Sequence, residues 1–555
     1  MPERRPIDPI TLEVVRHALA ATADEMALVI MRSAYSPVVR DTMDYSTALC
    51  QRDGRVVAQG LTLAVQLGTF PTVMRYVLDE LASSARPGDV YIANDPYGCG
   101  GQHLPDLYVI KPIFVHGELE GYAATMAHHS DVGGIAPGSI AVHATEIYQE
   151  GLRIPLCKLV DAGAEDEKLL RILAANTRRP VHVLGDLRAQ LAACAVGARG
   201  LTSLVERHGA KTARTLMDEL QATAERAMRA ELAILPDGVG TFVDHVDGVG
   251  EDPQPIRIEV RVELTGEEVR VDFTGTSAQV EASVNCPVGM VYAAAYCAIR
   301  GVVGADIPNC EGYMAPIRVH APEGTVVNPV LPAACGARGV IGYRVYDAIM
   351  GALAPIVPER VLAAGEGGPT LIAWGGYDAE RRPFGTTEVL VGTWGARAHR
   401  DGLEGVSNPL ANLGNQPVEL LEASLPLRVE RYGLVPDSGG TYFLPRLVGT
   451  ARAMGLALLG DKLTAEQAEE WGLIWRCVED AELAPTVDAL LAHFAQAPTR
   501  GLAATKRALR ASAHATLAGQ LALERDLQRE LGYTDDYREG VAAFVGKRPP
   551  HFTGT

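Results

Sequence analysis

The hydrophobic patterning of this 555-residue chain changes in kind at one octapeptide, Gly433-Leu-Val-Pro-Asp-Ser-Gly-Gly440. Before it, helical periodicity alternates with short strand-like runs and glycine-rich loops. After Thr441, stretches at 451–459, 465–471, 487–494 and 510–531 are all helical and rich in Ala, Leu, Glu and Arg. A chain with two textures and no polar linker between them is expected to fold as two bodies, 1–440 and 441–555, joined within 433–440. The fold class expected is mixed α/β (α+β): a multi-layer body followed by a helical segment.

In the first body, Ile10 to Ala34 keeps an apolar stripe interrupted by Glu13, Arg16, His17, Asp24 and Glu25. That is an amphipathic helix, neither a signal peptide nor a membrane span. Asp53-Gly54 between 45–51 and 55–59 signals a hairpin. Phe70–Ser84 is read as a helix, and 88–93 as a buried strand opening into Asn94-Asp-Pro-Tyr-Gly-Cys-Gly-Gly101. Two more strands follow near 108–115 and 121–126. Residues 166–232 are helix-rich, and alternation over 240–273 predicts antiparallel sheet.

Chemistry concentrates where these strands end. Gln102-His103-Leu-Pro-Asp106 sets an imidazole and a carboxylate three residues apart, and Pro105 keeps them off a helix interior. His128-His129-Ser-Asp131 closes the strand that follows, so one β-excursion brings both clusters to the same sheet end. Two His with one or two Asp suit Zn, Mn or Fe(II) with a position left open for water. The competing reading is that such residues only form turns, with Asp95 and Asp131 as caps.

The net charge of -18 argues against a nucleic-acid surface. Nine cysteines without a C-x-x-C pair read as reduced thiols, hence a cytoplasmic setting. No G-x-x-x-x-G-K-[ST] phosphate cradle occurs, so ATP binding by this chain is not expected.

Residues 1–440 resemble the hydantoinase B/oxoprolinase family. The motifs that carry this are Asp44-Tyr-Ser46, Asn94-Asp-Pro-Tyr97, His103-Leu-Pro-Asp106, Ala127-His-His-Ser-Asp-Val-Gly-Gly134, Gln149-Glu-Gly-Leu-Arg153, Asn176-Thr-Arg178, Gly185-Asp186, Asp272-Phe-Thr-Gly-Thr276, Pro322-Glu-Gly-Thr325, Gly336-Ala-Arg338 and Asn412-Leu-Gly-Asn415. The resemblance implies a subunit of an ATP-dependent hydrolase of cyclic amides (a hydantoin, 5-oxoproline or another lactam), or of a related ketone carboxylase. It implies a hydantoinase A-like partner that uses ATP-Mg to phosphorylate the substrate, in a hetero-oligomer. It also implies a divalent metal, Zn or Mn, held here by His103, Asp106 and His128 with Asp44 as fourth ligand. Water on that metal would attack the phosphorylated carbon, with His129 and Asp131 orienting ligands or moving protons. The Asn94–Gly101 loop is expected to wall the pocket.

Residues 433–555 resemble the C-terminal part of the enoyl-CoA hydratase/isomerase (crotonase) family, with the nearest likeness to ring-epoxide phenylacetyl-CoA isomerases. Leu444-Pro-Arg-Leu-Val-Gly449, Leu459-Gly-Asp-Lys462, Ala465-Glu-Gln-Ala468, Trp471-Gly-Leu473, Thr505-Lys-Arg507 and Phe544-Val-Gly-Lys-Arg548 carry it. Asp437 would be a vestigial acid/base there, because the half of that fold bearing the oxyanion-hole amides is expected to be missing. Helices that pack without chemistry are the favoured reading of the tail, with an acyl-CoA isomerase or hydratase activity as the alternative. Gly433–Gly440 fits both families, as recombination or misassembly between two genes sharing that stretch would leave it. A non-functional chimera is therefore a further reading.

Overall fold

The structure, a computed structural model, describes residues 7–81, 84–304, 306–368, 370–414, 440–512 and 514–555. It divides into two compact units, residues 1–432 and 433–555. Asp437 and the join at 433–439 lie outside the described residues.

The first unit is built on a seven-stranded antiparallel sheet of order β2-β1-β5-β4-β3-β6-β7. Its strands are β1 (Tyr45–Gln51), β2 (Val56–Gln59), β3 (Val90–Ala93), β4 (Asp106–Val115), β5 (Glu118–His128), β6 (Cys157–Asp161) and β7 (Ala164–Glu165). Every residue of β1 is buried, because both sheet faces are covered. Leu49, Val109 and Ala123 face the core shared with helices α1 (Pro9–Ser33) and α6 (Pro180–His208). Ala48, Cys50, Tyr108 and Met126 face the opposite core with α4 (Phe70–Leu81). Strands buried on both faces read as continuous apolar runs, which is why no clean alternation marks them in the sequence.

The first helix forms as its sequence predicts. Asp8 caps it by accepting from the N–H groups of Ile10 and Thr11, Pro9 fits its first turn, and Val15, Leu19, Ala23, Met26 and Ile30 form the buried stripe. Before α4 come the short α2 (Pro37–Arg40) and α3 (Ala64–Leu67); α5 (Glu167–Asn176) and α7 (Ala210–Ala233) flank α6.

A second sheet, β8 (Gly238–Val246), β9 (Ile256–Thr265), β10 (Glu268–Asp272) and β11 (Ile317–His320), lies in the order β11-β10-β9-β8. Alternation in β9, where every second residue is buried, marks a sheet with one face covered. The helices α8 (Val288–Val302) and α9 (Gly339–Leu353) supply that cover through Ile299, Val345, Ile349 and Leu353. The antiparallel expectation holds for β8–β10, while β11 adds in parallel. Two hairpins, β12 (Thr370–Tyr377) with β13 (Pro383–Leu390) and β14 (Gly392–Trp394) with β15 (Leu403–Val406), complete the unit.

The regular structure described in the second unit is all helical: α10 (Gly440–Val448), α11 (Thr450–Leu459), α12 (Ala465–Glu470), α13 (Asp480–Ala495), α14 (Thr499–Ser512), α15 (Leu517–Leu531) and α16 (Asp535–Val545). The single helix expected over 510–531 is two, because Thr516 caps a new start by accepting from the Gly519 N–H. Large apolar residues stay uncovered here, with Trp475 76% and Phe544 86% exposed, and α13 buries none of its residues. No helix among the described residues is long and apolar enough to cross a membrane.

Candidate metal centre

Asp106 opens β4 and His128 closes β5, and the two stand opposite each other in the hairpin register. His103 reaches them from the preceding turn, where its carbonyl accepts the Asp106 N–H at 3.1 Å. The same sheet end receives Asp44, one residue before β1, whose carbonyl accepts the His128 N–H at 3.0 Å.

Three donor atoms converge. His103 Nε2 lies 3.1 Å from His128 Nδ1 and 3.2 Å from Asp106 Oδ1, and that oxygen is 3.3 Å from His128 Nδ1. N and O donors about 2.0–2.1 Å from a tetrahedral ion lie roughly 3.3 Å from one another, so this triangle has the edge length such an ion requires. Among the described residues these three form the one group of His, Cys, Asp and Glu gathered closely enough to hold a metal. Asp44 does not join it. One Asp44 oxygen accepts from Gln66 Nε2 at 2.5 Å, and the residue lines the cavity beside His128 instead.

Protonation favours ligation. The Gly336 carbonyl, 2.9 Å from His103 Nδ1, can only accept, so Nδ1 carries the proton and the Nε2 lone pair faces inward. Burial, reinforced by the Arg338 guanidinium, lowers the His103 pKa to about 4, which keeps the ring neutral. Burial alone would raise the Asp106 carboxyl, but the Arg338 guanidinium, 2.6 Å from Oδ2, holds it well below the usual carboxylate range. Oδ1 is then the charged donor facing both rings. His128 Nε2 is buried with no partner among the described residues. An orphaned ring nitrogen at the edge of a cavity awaits a ligand or a water.

The other expected site residues sit behind this layer. Gln190 Nε2 donates to the Leu107 carbonyl, so its Oε1 accepts from His129 Nε2 at 2.9 Å and ties that imidazole to α6. Burial lowers the His129 pKa, leaving the ring neutral. Asp131 accepts from the N–H groups of Gly133, Gly138 and Arg178, from Thr177 Oγ1, and from Arg178 Nη1 at 2.9 Å. Its oxygens thus bind the 133–138 loop, close to the turn-capping alternative. Asp95 likewise accepts the Tyr97 N–H.

A cavity of about 560 Å³ opens onto the centre. Asp44, Gln66, His128, Arg338 and Tyr343 line it, together with residues 366–368, the start of β12 at Thr370 and Leu371, and residues 245–247. The Asn94–Gly101 wall expected from the sequence is absent among the lining residues. Asn94 instead donates to the carbonyls of Leu104 and Leu152, and Tyr97 to that of Ala333, so the loop is a strut. Burial raises the Asp44 carboxyl to about 6 against the opposing pull of His128. Arg338, Gly336 and Gln66 were not singled out by sequence reasoning as site residues; the Gly336-Ala-Arg338 motif was the available signal.

Comparison with known proteins finds relatives for both parts of the chain. The family model described as hydantoinase B/oxoprolinase matches residues 8–441, and one described as enoyl-CoA hydratase/isomerase matches residues 421–555. The B component of a putative D-/L-hydantoinase of Pseudomonas sp. (strain NS671) is 35% identical over 444 residues, 77% of this chain and 74% of that protein. The beta component of caprolactamase from Pseudomonas jessenii is 34% identical, covering 78% of this chain and 76% of that one. The crystal structure of the ATP-dependent caprolactamase from Pseudomonas jessenii superposes with a TM-score of 0.72 at 31% identity, over 78% of this chain and 76% of that chain.

Proposed function

This chain belongs to the hydantoinase B/oxoprolinase family, and we propose that it is the metal-bearing subunit of an ATP-dependent cyclic-amide hydrolase. The observation that carries the reading is the buried triangle of His103 Nε2, Asp106 Oδ1 and His128 Nδ1, each donor 3.1–3.3 Å from the others. One anionic and two neutral donors suit Zn or Mn, with room for a further ligand from the cavity.

A divalent ion held there would supply a nucleophile at neutral pH by lowering the pKa of water to about 7. The chain's own residues do the rest. Arg338 keeps Asp106 ionised and aimed, and Gly336 fixes the His103 tautomer. Asp44, with its raised pKa, is placed to take up or release a proton beside His128. His129 and Asp131 support the strand end and the loop from behind. A lactam or hydantoin carbonyl is a poor electrophile, so activation falls to a hydantoinase A-like partner that uses ATP-Mg to phosphorylate its oxygen. The hydantoinase and caprolactamase relatives are both named as subunits of larger enzymes, which supports such a hetero-oligomer. All nine cysteines are unpaired, which fits a reducing, cytoplasmic setting.

The two family matches overlap at residues 421–441, which supports recombination between two coding sequences as the origin of the tail. We assign the tail no catalytic step. The function is tested by mixing this chain with its ATP-binding partner and a panel of lactams and hydantoins. ADP release coupled to ring opening is expected for at least one. ADP release that no cyclic amide raises above background would overturn the reading.

A further inference from the structure

We propose that Glu150 is a positioning residue of the metal centre: acting through the backbone of residues 335–338, it sets where His103 and Asp106 present their donor atoms. The proposal rests on the metal reading above and goes beyond it, since Glu150 touches none of the three ligands.

The segment Cys335–Arg338 serves the site twice within four residues. The Gly336 carbonyl accepts the hydrogen bond of His103 Nδ1–H, and the Arg338 guanidinium donates to Asp106 Oδ2. Two of three ligands are therefore aimed by one short turn leading into α9. That turn needs an anchor. Glu150, 1% exposed, supplies it by accepting two consecutive N–H groups, from Cys335 at 3.1 Å and Gly336 at 2.6 Å. A Cβ on residue 336 would lie 2.9 Å from Glu150 Oε1, so glycine is what permits this approach. Glu150 is itself placed by the turn at Ile147–Gln149, its N–H bonded to the Ile147 carbonyl. A carboxyl group bonded to the N–H groups of two successive peptides holds the backbone from 334 to 336, and so the start of the peptide that carries the Gly336 carbonyl. Rotating the 336 carbonyl would release the His103 tautomer and turn its lone pair away from Asp106 Oδ1. Outer partners of this kind act on metal affinity and ligand geometry without contributing a ligand.

The test is a Co(II) titration of the metal-stripped full-length chain, followed by visible absorption, with wild type, Glu150→Ala and Glu150→Gln. Wild type is expected to bind one equivalent with the intense bands of a four-coordinate site. Glu150→Ala is expected to bind about 10–100-fold more weakly with altered bands. Glu150→Gln keeps an oxygen for the Gly336 N–H and is expected to fall between them; it decides the question if the alanine variant does not fold. Asp347→Asn, at another buried carboxyl, controls for the loss of a buried acid and is expected to leave affinity and spectrum unchanged. Wild-type affinity and spectrum in the folded Glu150 variants would overturn the positioning role while leaving the metal reading intact. A wild-type chain that binds no Co(II) would overturn both.

Discussion

Asp106 and His128 face each other across the open end of the β4–β5 hairpin, with Oδ1 of one 3.3 Å from Nδ1 of the other. This pair is thus held by strand register, and a one-residue slip would send the two side chains to opposite faces of the sheet. His103 joins from a three-residue turn, so the whole centre depends on one β-excursion.

Because Asp106 also neutralises Arg338, Asp106→Asn leaves a largely covered guanidinium at the cavity without its counter-charge. The metal-free variant is expected to lose about 3–5 kcal/mol of stability. Adding Arg338→Met should recover part of that loss, so the double variant is more stable than the sum of the single effects implies. Urea unfolding of the metal-free proteins measures this, and strict additivity would count against the pairing.

Asp347 gives a pH dependence of known sign. Burial raises its pKa from 3.8 to about 6 against the opposing Arg344, so the unfolded chain loses its proton first as pH rises. The stability contribution is complete below pH 3.8 and is lost as pH passes about 6, about 3 kcal/mol at roughly 1.4 kcal/mol per pKa unit. Asp347→Asn should therefore gain on wild type between pH 4 and pH 7. A stability difference that does not change with pH would contradict the assignment.

Gly240 in β8 lets that strand lie against α9, since a Cβ there would sit 1.8 Å from the Ala352 carbonyl oxygen. Gly240→Ala must push strand and helix apart, at an expected cost of about 3 kcal/mol. An unchanged denaturation midpoint would show that the contact gives way freely.

Arg178→Ala tests whether Asp131 serves the loop or the metal. The variant removes the guanidinium from Asp131 and from the Gly133, Gly134 and Ala136 carbonyls. Faster amide exchange across Val132–Ser139 is expected, with Co(II) affinity within about threefold of wild type on the same scale as the 10–100-fold loss typical of partners bonded directly to ligands. A loss of metal at wild-type exchange rates would restore Asp131 to the site.

The clustering of the three candidate ligands was legible in the sequence because they are local. Asp106 and His128 end two adjacent strands and His103 lies in the turn before the first, so one β-excursion in the sequence already implied a shared sheet end. Helix α1 was legible for the same reason, since its cap and stripe are written in consecutive residues. What lay hidden was whatever tertiary approach decides. Arg338 and Gly336 reach the site across more than 200 residues of chain, and Glu150 acts on them through backbone amides that no residue pattern marks. The glycine-rich 94–101 loop looked like a pocket wall, but glycine also serves struts, and its bonds to Leu104, Leu152 and Ala333 use it that way. Asp44 was placed at the right strand end, yet one of its oxygens accepts from Gln66 and the residue lines the cavity outside the group of three.

The most direct measurement is anomalous diffraction at the zinc edge from crystals of the chain soaked in Zn(II). One peak is expected about 2.0–2.2 Å from His103 Nε2, Asp106 Oδ1 and His128 Nδ1, and it should vanish in His128→Ala. A map with no peak at that point, while wild-type protein remains folded and the three side chains keep their positions, would contradict the metal centre.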